Sequence, residues 1–220
     1  MDYRQLPSAP APNDRPDDIK GNLSLEQRQH AVNILAFHVA HHPDSRVFGH
    51  DVAKGLELVE AWVKPVMMGA QSDSVDVSAN QQHEQESGTA LRGRTICEIL
   101  VEEGMLNVHR SLAGACAVLL LDIATFSSLF VLSLVSGVDA WGVSTAMNIT
   151  WHAPAGRGTK LRFVSTTLSL GGRLSAARCE IYDAQSARLL ISAVHTISPL
   201  KTLSSSHRTV KPVRSLQSKL

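Results

Sequence analysis

The order of apolar patterns along this 220-residue chain predicts an α+β domain, an antiparallel sheet curled about one long helix with an extra helix near the N-terminus. Three observations carry the prediction. Residues 111–137, SLAGACAVLLLDIATFSSLFVLSLVSG, are apolar or small almost throughout and hold a single charge, Asp122. Two strand-like runs rich in β-branched and apolar residues precede this stretch. Four more follow it, joined by short turns, so strands and helix are segregated and do not alternate.

Taken in order, residues 1–22 carry Pro7, Pro10, Pro12 and Pro16 among small and charged residues and are expected to be disordered. Ser24 and Gln27 have capping-box spacing and open an accessory helix within residues 23–50, which Pro43 stops. His38, His41 and His42 at its end have no acid or cysteine at ligand spacing, so they read as a solvated helix end and no metal is expected. The main domain spans residues 51–200. Its first strand is expected over 56–66, preceded by a short helix, and its second over 94–107. Between them, residues 67–93 are polar, rich in Gln and Ser and without period, and read as a loop insertion.

After the long helix the period becomes two. Val143, Thr145, Met147, Ile149 and Trp151 alternate with more polar neighbours, which describes a half-buried strand. Pro154 to Gly158 turn the chain, and residues 160–170, 174–182 and 189–197 supply three further strands. A helix apolar nearly all round needs burial on all sides, which a sheet curled about it provides.

The lone charge leaves three readings of the 111–137 stretch. It is long enough for a bilayer, which needs roughly 20 apolar residues. It also suits a core helix with Asp122 at a functional site, or one in which Asp122 is a satisfied structural acid. The termini bear on the choice. Ser218-Lys219-Leu220 closes a polar, basic tail over 201–220 and matches the peroxisomal address, so the expected location is the peroxisome and the expected partner its import receptor. A matrix protein of that kind needs no membrane span. Residues 1–22 hold no apolar signal-peptide core, and Cys97, Cys116 and Cys179 lie far apart, as buried thiols in a reducing compartment would. A net charge of +1 gives no argument for nucleic acid as a partner.

From about residue 56 to 199, this order of elements resembles the hotdog-fold thioesterase superfamily, in particular its small acyl-CoA thioesterases of the phenylacetate-pathway and thioesterase-superfamily-member type. Asn107, the run Ala113-Gly114-Ala115, and Asp122 eight residues after Gly114 occupy the positions of the family signature. Gly142-Val143-Ser144, Met147-Asn148-Ile149-Thr150 and Pro154-Ala155 match the family's next strand and turn. The chain departs from the pattern at Ala113, where the family has His, and at Ala115, where it has a second Gly. His109, four residues before Ala113, could not take the same place on a helix. The resemblance implies a homo-oligomeric hydrolase of acyl-CoA thioesters that needs no cofactor beyond water.

In such chemistry a water attacks the thioester carbonyl once its proton is taken and the oxyanion is stabilised. Asp122 is the expected base or nucleophile, and the Gly114 N–H at the helix start is the expected oxyanion donor. The resemblance gives Asn107 the carbonyl or water to hold and Ser144 the water to orient. Ala113 and Ala115 border the substrate, while Lys160 and Arg173, or Arg162 and Arg178, are candidates for the CoA phosphates. His195 reads as an ordinary strand histidine. Eight residues of helix separate Gly114 from Asp122 by roughly 12 Å, too far to meet at one carbonyl, so a two-fold partner is expected to complete the site. Two other readings stay open: a hotdog protein that binds acyl-CoA without turnover, suggested by Ala113, and a hydratase or dehydratase of the same fold.

Overall fold

A computed structural model of the chain describes residues 5–40, 47–66 and 90–200. Seven strands form one sheet in the order β1-β2-β3-β5-β6-β7-β4. They are β1 (Lys20–Gly21), β2 (Glu57–Pro65), β3 (Leu91–Leu100), β4 (Gly142–Trp151), β5 (Lys160–Ser169), β6 (Ser175–Asp183) and β7 (Leu189–Pro199). Apart from the two-residue parallel pairing of β1 with β2, every ladder is antiparallel. Helix α3 (Gly114–Ser136) lies against β3, β5 and β6 on the inner face of the curled sheet, the arrangement of a hotdog fold. Helix α1 (Leu25–Val39) packs on α3, and a short α2 (His50–Ala53) precedes β2.

The local chemistry explains the boundaries. The Gln27 N–H donates to Ser24 Oγ at 3.2 Å and the Ser24 N–H to Gln27 Oε1 at 3.0 Å, so the capping box opens α1 as its spacing predicts. Gly137, with φ of 73°, ends α3 in the left-handed conformation that glycine adopts without strain. Most of α3 is buried, and its polar residues are satisfied within the core. Ser127 Oγ donates to the Ala124 carbonyl at 2.7 Å, and Ser128 Oγ to that of Thr125 at 2.9 Å. At Gly93 the strand comes so close to the helix that a Cβ would lie 2.3 Å from the Ser128 carbonyl oxygen. By length and composition α3 could cross a membrane. Here the sheet and α1 take up the apolar surface that a bilayer would otherwise cover.

The structure corrects several expectations. Residues 5–22 are not free chain: the buried Asn13 side chain donates to the Leu56 carbonyl at 2.8 Å and accepts the Leu58 N–H at 2.8 Å, tying the segment to the start of β2. Pro16 opens a 3-10 turn over Pro16–Asp18, and the prolines do not prevent packing once buried polar groups find partners. The second strand stops at Leu100, not near residue 107, because a 3-10 turn at Glu103–Met105 redirects the chain toward α3. That strand also begins earlier, at Leu91, inside the stretch read as an insertion; residues 67–89 lie outside the described residues. His38 is not at a solvated helix end. Its ring lies 5.5 Å from that of Phe126, 5.4 Å from Phe130 and 5.6 Å from Trp141. His41, His42 and the targeting residues Ser218, Lys219 and Leu220 lie outside the described residues.

Candidate active site

Two clusters of expected site residues form, and they are separate. The first is built at the start of α3. Ala113 is its N-cap and offers no side-chain cap, which leaves the first-turn N–H groups of Gly114, Ala115 and Cys116 directed out of the helix end. The preceding loop is held by Asn107. Its Oδ1 accepts the His109 N–H at 2.9 Å and the Ser111 N–H at 3.3 Å, and its own N–H donates to the Ser111 carbonyl at 2.8 Å. Because Oδ1 faces backbone donors, the amide orientation is fixed and Nδ2 is the group left to donate outward. Asn107 and Gly114 line one cavity of about 380 Å³ with Ser111, Trp151, His152 and Leu161.

The second cluster lies two turns along α3. Ser144 Oγ, on β4, donates to Asp122 Oδ1 at 2.9 Å, and the Asp122 side chain is 42% exposed. The carboxylate is therefore at the surface of the chain, not sealed within the helix core. His195 approaches the same oxygen from the inner side, with Nε2 at 3.5 Å from Asp122 Oδ1 and its side chain fully buried. His195 Nδ1 lies 2.7 Å from Thr125 Oγ1, which in turn reaches the carbonyls of Leu121 at 2.8 Å and Asp122 at 2.9 Å. A threonine hydroxyl has one proton. When it donates to a carbonyl it accepts from Nδ1–H, and the neutral ring then turns its Nε2 lone pair toward Asp122. Nε2 has no hydrogen-bond partner. Burial pushes the His195 imidazole below its ordinary pKa, against an opposing pull from the Asp122 charge. Such a ring stays neutral at neutral pH.

The expected cationic contacts do not gather at either cluster. Lys160 Nζ is 2.6 Å from Glu98 Oε2 on the outer face of the sheet, and Arg162 is shared between Glu98 and Glu60. Their charges are matched there: burial raises the Glu98 carboxyl, but the hydrogen bonds and charges of Lys160 and Arg162 outweigh it and hold it below its usual range. Arg173 sits in the β5–β6 turn beside Gly171, whose neighbour is Val138, just past the C-terminal end of α3. That end is roughly 33 Å of helix away from Gly114, at 1.5 Å per residue. Arg178 lies 3.7 Å from Glu180. Ala113 and Ala115 do border the exposed start of α3.

Three residues at the clusters were not read from the sequence as functional. Trp151 and His152 line the cavity at Gly114, and His195 stands behind Asp122. His195 had a usable signal. Ile191, Ala193, His195 and Ile197 are the inward, buried positions of β7, and a histidine within an apolar inward row is the informative exception. Among the described residues no group of three or more His, Cys, Asp or Glu is placed to hold a metal.

No protein-family model matches the chain. It is similar to acyl-coenzyme A thioesterase 13 of Homo sapiens and of Pongo abelii, 31% identical to each over 108 residues that make up 49% of this chain and 74% of each relative. Its fold is similar to that of the crystal structure of zebra fish thioesterase superfamily member 2, with a TM-score of 0.52 at 21% identity over 76% of this chain and 95% of that one. An Asp on the long helix paired with a serine of the next strand, a glycine at the helix start, a curled sheet about that helix and these relatives agree: the chain belongs to the hotdog thioesterase superfamily.

Proposed function

We propose that the protein hydrolyses acyl-CoA thioesters, with Asp122 as the base that activates water. The observation that carries this reading is the Ser144–Asp122 hydrogen bond of 2.9 Å on an accessible face, backed by the buried, neutral His195. Ser144 holds Asp122 Oδ1 and leaves Oδ2 to receive a water proton. The Gly114 N–H, supported by the helix dipole, and Asn107 Nδ2 polarise the thioester carbonyl. The oxyanion collapses with loss of the CoA thiolate, which takes up a proton, and the free acid leaves. The names of the human and orang-utan relatives favour the same substrate class.

In this reading the site is completed between two copies of the chain. Asn107 and Gly114 share a cavity that contains neither Asp122 nor Ser144, while Ala115, Val118 and Asp122 form an accessible stripe on α3. Beside that stripe, β4 is an edge strand with Val143 and Trp151 each 53% exposed. A two-fold partner set against β4 and α3 would pair the edge and bring its Gly114 toward Asp122. We also assign the protein to the peroxisome through Ser218-Lys219-Leu220; a fluorescent fusion that is cytosolic with and without Leu220 would remove that assignment.

The decisive experiment is thiol release from an acyl-CoA panel by the wild type and by Asp122→Asn. Loss of at least about 100-fold in kcat is expected. Equal turnover by both proteins sinks the assignment of the base. Tight acyl-CoA binding without release by the wild type favours the binding protein, to which Ala113 in place of the family His also points.

A further inference from the structure

We propose that helix α1 forms the end wall of the acyl site, with His38 limiting the substrate to short or compact acyl groups. The inference rests on the hydrolase reading for the position of the thioester. Along α3, positions 115, 118, 122 and 126 fall on one face. Ala115 is exposed, Val118 is 37% exposed and the Asp122 side chain 42% exposed, so the stripe is open from the helix start to the carboxylate. One turn further on, Phe126 is only 6% exposed. The change is abrupt, and α1 causes it.

His38 lies over Phe126 with ring centroids 5.5 Å apart and planes at 28°, and over Trp141 at 5.6 Å and 18°. Phe37 meets Trp141 edge-on at 5.8 Å, and Phe130 closes the cluster 4.8 Å from Trp141. His38 is held in this place from its own helix, since Nδ1–H donates to the Ile34 carbonyl at 2.8 Å. On the other side Phe126 presents its ring edge-on to His195 at 5.5 Å, which joins the wall to the group behind Asp122.

In the composite site CoA leaves through the cavity at the partner's Gly114, and an acyl group directed along this chain's α3, away from the helix start, passes Asp122. It meets Phe126 and His38 within one turn of helix, roughly 5 Å of axis. A wall of stacked ring faces at that depth suits a short chain or a flat ring, which can lie against it, and excludes a long chain, which has nowhere to extend. Truncation of His38 to Ala opens room for roughly two to three methylenes. Each methylene that finds such room improves binding by up to about fourfold.

The test compares wild type, His38→Ala and His38→Phe in two measurements: thiol release from butyryl-, hexanoyl- and dodecanoyl-CoA, and calorimetric binding of the matching non-hydrolysable S-alkyl-CoA thioethers. The wild type is expected to favour the short member in both. His38→Ala should raise the ratio of kcat/KM for hexanoyl over butyryl at least tenfold and shift thioether affinity the same way, whereas His38→Phe, which keeps a ring, should restore the wild-type order. A wild type that takes dodecanoyl as well as butyryl overturns the proposal, as does a profile unchanged in a folded His38→Ala. Thioether affinities that shift with the variant while no thioester is cleaved would uphold the wall and refute the hydrolase. Absence of any thioether binding would refute both.

Discussion

Asp122 is poised between two neighbours that act differently on it. Ser144 donates a hydrogen bond and so stabilises the carboxylate, whereas His195, neutral and unpartnered at Nε2, backs the same oxygen from the inner side at 3.5 Å. Removing the histidine should therefore affect turnover more than binding. For His195→Gln we expect kcat to fall by about tenfold or more with KM nearly constant, since the support behind the proposed base and not a substrate contact is lost. Equal losses in both parameters would point to a merely structural role. The same burial makes a prediction about pH. Both His195 and His38 have pKa values lowered in the fold, chiefly by desolvation. Below their ordinary value of about 6.5, the unfolded chain binds protons that the folded chain resists, so stability is full above that pH and falls as the pH is lowered through it. Melting temperatures from pH 8 to 5 should show this fall, and His195→Gln should flatten it.

At the scale of elements, two glycines near α3 separate catalysis from folding. A Cβ at Gly114 would meet only Trp151, at an ordinary 3.8 Å, so Gly114→Ala should fold with an unchanged melting temperature. Its methyl would stand where the carbonyl must approach, and a loss of about tenfold or more in kcat/KM is expected. Gly93→Ala should do the opposite. Its methyl would overlap the Ser128 carbonyl and cost about 1–3 kcal/mol of stability, read as a lower urea midpoint with little direct effect on the reaction. Helix α3, the capping box of α1 and the hairpin strands were legible because period, caps and turns are local properties of sequence. The segment 5–22 was not, since its order depends on Asn13 finding two backbone partners more than 40 residues away. Asp122, Ser144, Gly114 and Asn107 were candidates through the resemblance, and of these the structure brings Asp122 to Ser144 and Asn107 to Gly114. The ion pairs that occupy Lys160 and Arg162 could not be named in advance, because they depend on which strands become neighbours across the sheet. The surroundings of His195 were hidden for the same reason, its partner lying 70 residues away in sequence at Thr125.

At the scale of the whole molecule, the sheet is protected on one edge and open on the other. The N-terminal segment covers β2 through β1, while β4 carries Ser144 on an edge that no described strand pairs. Open edges of that length are normally covered, and here coverage by a second copy would also complete the chemistry. The consequence can be tested by subunit mixing. Asp122→Asn and Asn107→Ala impair opposite halves of the composite site, so each pure variant should be nearly inactive. In mixed dimers of the two, one site joins both defects and the other joins two intact halves. Random assembly of equal amounts makes half the dimers mixed, so activity should recover to about a quarter of wild type. A site contained within one chain gives no recovery at any ratio, because every subunit then carries a defect in its own site. Refolding the two variants together from urea and measuring thiol release against each refolded alone distinguishes these outcomes, with sedimentation confirming that the species assayed is an oligomer.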